Sequence, residues 1–199
     1  MREETREKRH AAISEAAYQL VSEKGFTGTS MLAIAKRAKA SNETMYRWYG
    51  DKIGLFRALI TDNAQIAKSV LEQSVEQDLA PMDTLAKLAP VLLEMLVGDR
   101  AIALNRAAAA DPSGVLGRAL SEAGRESVAP LIGAVVVQAA DRGELSMSTP
   151  PEAVGLFLDL LVGDLQIRRA IGVIPALTFD QCQDRADLAL TRFRALLVG

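Results

Sequence analysis

Hydrogen-bonding side chains gather at the predicted start of one short helix. Ser41 is typical of a helix N-cap, and Asn42, Thr44, Tyr46 and Arg47 follow it. The first turn of a helix offers free backbone amides and partial positive charge to a phosphate. Asparagine and arginine also match the hydrogen-bonding edges of adenine and guanine. The segment therefore predicts recognition of duplex DNA, in which phosphate contacts position the helix and base-edge contacts specify the sequence.

Several of these side chains have a second interpretation. Ser41 is expected to cap the helix, which does not exclude a phosphate contact, and Arg47 suits either a guanine edge or a phosphate. The carboxylate of Glu43 interacts favourably with the helix dipole, and it can also accept a hydrogen bond from cytosine N4. Trp48, the only tryptophan, suits contact with DNA or packing.

Caps and periodic apolar residues predict the helices that would position this segment. Gly25 ends the first helix, Thr29 is the expected N-cap of the second, and Asp51 can cap the fourth. The expected helices span residues 5–24, 30–38, 42–49 and 51–77. Two short helices joined by a tight turn, 30–38 and 42–49, predict a helix-turn-helix unit.

The charge distribution agrees with this assignment. The chain of 199 residues is 49% hydrophobic and has a formal net charge of -2. Residues 1–56 contain 10 Lys/Arg and 7 Asp/Glu, whereas residues 57–199 contain 13 and 18. Positive charge therefore accompanies the predicted DNA-reading unit.

Residue usage argues against an enzyme, a metal site or a cofactor. Cys182 and His10 are the only cysteine and histidine, which excludes an intrachain disulfide and metal sites built from several such ligands. The apolar runs 128–137 and 153–162 are shorter than the roughly 20 residues of a membrane span. No segment reads as a signal peptide, so a cytoplasmic protein without a membrane partner is expected.

Later boundaries predict that the remainder is also helical. Pro81 opens a helix that ends near Gly98, and Asp111 with Pro112 opens another. Thr149/Glu152 and Thr178/Gln181 have capping-box spacing. The expected helices are 113–141, bent or divided at Pro130, then 151–172 and 179–197. The fold class is therefore all-α, with an N-terminal domain at 1–51 and a helical domain at 52–199.

The N-terminal pattern resembles that of TetR-family transcriptional regulators over about residues 9–56. The matching positions are Gly25, Phe26, Thr29, Ile34, Ala35, Thr44, Tyr46, Trp48, Tyr49 and Lys52. The segment at about 100–172 resembles the C-terminal domain of the AcrR/AefR-like subgroup. The resemblance implies a homodimer whose third helix enters the major groove. It also implies that Tyr46 and Trp48 lean on the DNA backbone and that Lys52 binds a phosphate.

Two residues depart from the family pattern. Lys39 stands where the turn usually has glycine, and a positive φ there would cost lysine roughly 1 kcal/mol. Glu43 replaces a small or basic residue, so the operator cannot be transferred from relatives. The residues assigned to DNA are Ser30, Lys39, Ser41, Asn42, Glu43, Thr44, Tyr46, Arg47, Trp48 and Lys52.

The resemblance assigns the C-terminal helices to effector binding and dimerisation. Their apolar stripes also suit ordinary core packing. The pocket candidates are Leu59, Asn63, Ile66, Leu92, Met95, Asn105, Leu116 and Phe157. The dimer candidates are Phe157, Leu161, Leu165, Leu188, Phe193 and Leu196. Few charges interrupt these stripes, so a small, mostly apolar effector is expected to release the protein from DNA.

The function that follows is a homodimeric repressor of a palindromic operator. A helical enzyme or carrier is one rival, although the chain has no glycine-rich phosphate loop and no nucleophile–base pair. A helical interaction protein that has lost DNA binding is another, and Lys39 and Glu43 keep it open. An activator, or a repressor without an effector, fits the sequence equally well.

Overall fold

The computed structural model describes residues 2–146 and 149–197, and side chains from residue 4 onward. Every regular element in these ranges is helical. In the N-terminal half these are α1 (Arg2–Lys24), α2 (Met31–Arg37), α3 (Asn42–Tyr49), α4 (Lys52–Glu76), α5 (Pro81–Val97) and α6 (Asp99–Ala109). They are followed by α7 (Val115–Leu120), a π-helical segment (Ser121–Arg125), α8 (Glu126–Asp141), α9 (Pro150–Val162), α10 (Leu165–Ala170) and α11 (Phe179–Leu197). The all-α fold expected from the sequence is confirmed.

Side-chain caps set the starts of the helices near the N-terminus. Ser30 Oγ accepts the Ala33 amide at 3.1 Å, Ser41 Oγ accepts that of Thr44 at 3.1 Å, and Asp51 Oδ1 accepts that of Gly54 at 2.7 Å. These bonds satisfy amides that have no partner inside the helix. The second helix therefore begins at Met31, with Ser30 rather than Thr29 as its cap. The Thr29 hydroxyl instead donates to the Gly25 carbonyl at 2.8 Å.

Two buried apolar clusters meet along α4. The N-terminal cluster joins α1–α3 and the first half of α4 to residues of α6 and α7, among them Leu104 and Leu116. The second cluster joins later α4 residues, such as Ala67 and Leu71, to α5, α8, α9 and α11. Because α4 contributes to both, a displacement of this helix moves one cluster relative to the other.

The C-terminal helices differ from their predicted bounds at two breaks. The expected helix 151–172 is divided at Gly163, which has a φ of 51° between α9 and α10. The expected helix 113–141 changes to π-helical geometry at 121–125, whereas Pro130 lies inside α8.

Asp111 Oδ2 accepts the Leu116 amide at 2.8 Å, so α7 begins later than predicted. The capping box at Thr178 and Gln181 is present, with reciprocal bonds of 2.9 and 3.3 Å. At Thr149 no side-chain cap bond forms.

Candidate nucleic-acid interface and ligand cavity

One face of α3 is open to solvent. Asn42, Glu43, Tyr46 and Arg47 are exposed and recur at the spacing of one helix face, and the Ser41 cap is exposed beside them. Arg47 and Glu43 approach within 3.9 Å with highly exposed side chains, so the guanidinium is free to move. This face can present amide, phenol and guanidinium groups to a groove.

The opposite face of α3 packs inward. Thr44 is 7% exposed and its hydroxyl lies 2.8 Å from Ser41 Oγ. Trp48 is half-buried, and the guanidinium of Arg6 lies 5.6 Å from the centroid of its ring. Met45 is fully buried in the N-terminal cluster. The structure therefore places Thr44 and Trp48 between the core and the exposed face, with less surface to offer than Tyr46 or Arg47.

The turn between α2 and α3 is a Schellman motif with lysine at its left-handed position. Lys39 has a φ of 51°. The Ala40 amide donates to the Ala35 carbonyl at 2.9 Å, and the Lys39 amide to the Lys36 carbonyl at 3.4 Å. These two bonds define the Schellman motif. Glycine is the usual residue at its left-handed position. Lys39 thus adopts the positive φ that the family's glycine would favour, and its exposed side chain points away from the core.

Lys52 is engaged inside the protein. Its ammonium donates to the carbonyl oxygens of Phe26 and Thr29, each at 2.9 Å, and lies 4.3 Å from the centroid of the Phe26 ring. Desolvation lowers the pKa of Lys52. Two of its three N–H donors therefore hold the chain before α2. The expected phosphate contact of this lysine stays a prediction.

A polar network that the sequence did not predict links α1, α3 and α4. His10 Nδ1 lies 2.7 Å from the Tyr49 hydroxyl, and His10 Nε2 lies 2.7 Å from Asp62 Oδ2. The Ser14 hydroxyl donates to the same Asp62 oxygen at 3.2 Å. Burial raises the pKa of Tyr49 to about 12. The network fixes the end of α3 against α4. The spacing of His10 and Ser14 on one face of α1 was its only sequence signal.

A cavity of about 480 Å³ lies between α4 and the C-terminal helices. Leucine, isoleucine, valine, alanine and methionine side chains make up most of its wall. The predicted residues Asn63, Leu92, Met95 and Asn105 line it. The other four predicted residues lie elsewhere: Leu59 and Leu116 in the N-terminal cluster, Phe157 in the second cluster, and Ile66 on the surface. The π-helical segment, which was not predicted, contributes Ser121, Gly124 and Arg125 to the wall.

The six dimer candidates divide by burial. Phe157, Leu161 and Phe193 have no exposed area because they pack inside the protomer, and the Phe157 and Phe193 rings meet edge to face with centroids 5.7 Å apart. Leu165 is half-buried. Leu188 and Leu196 are 43% and 61% exposed. Of the six, these last two have the most surface to offer a second subunit.

An N-terminal segment and a longer C-terminal segment of the chain each match a known protein family. Residues 13–59 match the tetR family of bacterial regulatory proteins, and residues 83–196 match the AefR-like transcriptional repressor C-terminal domain. The second match extends beyond the 100–172 expected from the sequence. The helix-turn-helix unit joined to a helical C-terminal domain defines a DNA-binding transcriptional regulator. The chain belongs to the TetR family, whose members are regulators and not enzymes.

Relatives and solved structures agree with this family. The chain is 49% identical over 43 residues to the uncharacterized HTH-type transcriptional regulator YdeS of Bacillus subtilis (strain 168), covering 22% of each protein. A TetR transcriptional regulator of Agrobacterium tumefaciens is similar at 27% identity and a TM-score of 0.73, over 96% of this chain and 94% of that one. The flavonoid-responsive regulator FrrA is similar at 27% identity and a TM-score of 0.65, over 94% and 96%. Among the described residues, no helix is long and apolar enough to cross a membrane.

Proposed function

We propose that this protein is a homodimeric repressor that leaves a palindromic operator when a small, mostly apolar effector binds. The observation that carries the proposal is the double role of α4. Its first residue, Lys52, holds the chain before α2, while Ile60, Asn63 and Ala64 line the cavity. A ligand that favours another position of α4 would therefore change the placement of the helix-turn-helix unit.

The proposed DNA contacts follow the exposed face of α3. Asn42, Tyr46 and Arg47 would face the groove, and Ser30, Lys39 and Ser41 would meet phosphates from the helix starts and the turn. Glu43 would oppose phosphate and reduce nonspecific binding. Thr44, Trp48 and Lys52 would support this face from within. Cytoplasmic localisation is part of the proposal, because the operator lies there.

The proposed dimer would use the exposed apolar residues of α11. Leu188 and Leu196 are the main candidates, together with half-buried Leu165. Phe157, Leu161 and Phe193 would hold α9 and α11 in place behind that surface. A two-fold dimer would set the recognition helices about 34 Å apart, the spacing of one DNA turn.

The effector proposal rests on the apolar wall of the cavity and its size, which is in the range of small-molecule sites. FrrA, similar over nearly the whole chain, is named as flavonoid-responsive, which supports control by a small molecule here.

The test is fluorescence anisotropy with labelled duplexes from the region upstream of the protein's own gene, against scrambled duplexes, over a salt series. Tight, palindrome-selective and salt-sensitive binding is expected. Light scattering of the complex should give two protomers per duplex. Equal, weak binding to every duplex would contradict a sequence-specific regulator role for this chain.

A further inference from the structure

Three carboxamide side chains line the cavity from three different helices. They are Asn63 on α4, Asn105 on α6 and Gln166 on α10, and all three are half-buried. In each, the nitrogen already donates to the protein. Asn105 Nδ2 lies 2.8 Å from the Ala101 carbonyl, Gln166 Nε2 lies 2.9 Å from the Leu96 carbonyl, and Asn63 Nδ2 lies 3.1 Å from Met95 Sδ.

These bonds identify which atom of each amide is the oxygen, and each nitrogen keeps a second N–H. A backbone carbonyl oxygen only accepts hydrogen bonds, so the atoms of Asn105 and Gln166 that bond to it must be the nitrogens. The thioether sulfur of Met95 is likewise a weak acceptor. In the described part of the chain, the three amide oxygens receive no hydrogen bond. The three side chains therefore offer a ligand their amide oxygens as acceptors, together with the second N–H of each amide.

The charges on the wall balance one another. Arg125 and Asp159 both line the cavity and have no ion pair within the described residues. One positive and one negative charge give no preference for a charged ligand. The wall contains no aromatic side chain among the described residues, so it lacks the rings that usually surround an organic cation.

We infer that the cavity binds a neutral, mostly apolar molecule that carries two or more hydroxyl groups, which donate to the oxygens of Asn63, Asn105 and Gln166. This inference rests on the proposed function in taking the cavity as the effector site. Such a molecule satisfies the free acceptors while its body contacts side chains such as Leu92, Leu96 and Val128. A methyl ether of the same shape can accept from the remaining N–H groups but has no hydrogen to donate to the oxygens, and a carboxylate places its charge against those oxygens.

The test compares ligands that differ only in their hydrogen-bond donors. Bisphenol A and diethylstilbestrol are each titrated against the full-length protein beside their dimethyl ethers, with dodecanoate as the anionic probe, by calorimetry and thermal shift. Each diphenol is expected to bind about tenfold or more tightly than its ether and to raise the melting temperature. Equal binding of ether and diphenol, tighter binding of dodecanoate, or binding by none of the five would overturn the inference.

A variant assigns the preference to the named oxygens. Asn105→Leu removes one acceptor at similar volume and should bring the diphenol-to-ether affinity ratio toward one while ether binding persists. Gln138→Leu, on the exposed face of α8 and outside the cavity wall, should leave the ratio unchanged. An unchanged ratio in Asn105→Leu contradicts the role of that oxygen. The ligand series on the unaltered protein decides the inference even if this variant does not fold.

The same ligands separate this inference from the repressor proposal. If a diphenol binds but the operator affinity does not change, the cavity chemistry stands and effector release is wrong. If an ether or dodecanoate binds tightly and releases the operator, effector release stands and the cavity chemistry is wrong.

Discussion

The ammonium of Lys52 donates a hydrogen bond of 2.9 Å to the carbonyl oxygen of Thr29, which ties the first residue of α4 to the chain that enters α2. The same ammonium donates to the Phe26 carbonyl and lies over the Phe26 ring. The Phe26 ring in turn packs edge to face on Phe56, with centroids 5.3 Å apart. One cation thus joins α4, the turn after α1 and the start of α2.

Replacing this cation should weaken the N-terminal unit. Lys52→Met keeps the apolar stem but removes both charged hydrogen bonds, so we expect a loss of about 1–2 kcal/mol in the free energy of unfolding, allowing for partial exposure. Urea unfolding followed by Trp48 fluorescence measures it. Lys36→Met, at an exposed site, is the matched control and should change stability little. Equal stability of the two variants, with a smaller salt slope for Lys52→Met alone, would show that Lys52 serves a phosphate and contributes little to the fold.

The strained turn offers a stabilising substitution. Lys39→Gly relieves the left-handed conformation and should raise stability by about 1 kcal/mol. Lys39→Ala removes the same charge but keeps Cβ, so comparing the two separates backbone strain from a phosphate contact. If Lys39 contacts a phosphate, both variants should bind all duplexes more weakly and by a similar factor. Lower stability of Lys39→Gly than of wild type would show that the lysine side chain has a stabilising contact.

Local sequence signals predicted what depends on neighbours in the chain. Ser41 and Asp51 are caps, and Lys39 has the expected positive φ, because each follows from residues within one helical turn. The bonds from Lys52 to the carbonyls of Phe26 and Thr29 were not predicted, because the sequence does not show that residues more than 20 positions earlier lie beside it. The Gly163 break was missed because apolar residues continue on both sides of it.

The exposed pair on α3 predicts opposite effects on DNA binding. Arg47→Ala should relax base preference at one operator position by roughly 1–3 kcal/mol if the guanidinium reads a guanine. Glu43→Gln removes a carboxylate near phosphates and should strengthen binding to scrambled duplexes more than to the operator. Anisotropy over a set of single-base operator variants measures both. Uniform weakening by Arg47→Ala would make Arg47 a phosphate contact, and a base-specific loss in Glu43→Gln would assign Glu43 to cytosine.

Alkaline pH should destabilise the N-terminal unit through the buried Tyr18 and the half-buried Tyr49. Burial raises the pKa of Tyr49 to about 12 and raises that of Tyr18 further above the usual value of 10.0. The folded state therefore keeps protons that the unfolded state loses, so this stabilisation is complete below about pH 10 and declines as pH rises toward 12. Urea midpoints between about pH 9 and pH 11 should fall more steeply for wild type than for Tyr49→Phe. Parallel profiles would contradict the buried hydroxyl of Tyr49.

Half of the predicted cavity residues line the cavity, and the reason is geometric. Asn63, Leu92, Met95 and Asn105 lie on the faces of α4, α5 and α6 that border the cavity. Leu59 and Leu116 are equally apolar, but they face the N-terminal cluster, because α7 packs near the first half of α4. Periodicity identifies a buried face. It does not show which neighbouring helix covers that face, so core and cavity residues look alike in the sequence.

Arg169 should be the most stabilising charged residue of the C-terminal domain. It is 8% exposed on α10, where Nε donates to the Val97 carbonyl at 2.9 Å and a terminal nitrogen lies 2.5 Å from Asp99 Oδ1. Arg169→Ala removes the donor to the Val97 carbonyl at the end of α5, whereas the Asp99 carboxylate is 90% exposed and is solvated instead, so a loss of about 1–3 kcal/mol is expected. Arg168→Ala is the matched control, because Arg168 is more exposed and approaches Asp164 only within 3.8 Å, and it should cost less than about 0.5 kcal/mol. Similar melting temperatures for the two variants would show that α10 is not held through Arg169.

Gln166 on the same helix lines the cavity, so a loosened α10 should also weaken ligand binding. Calorimetry with the tightest-binding probe measures this on the same two variants.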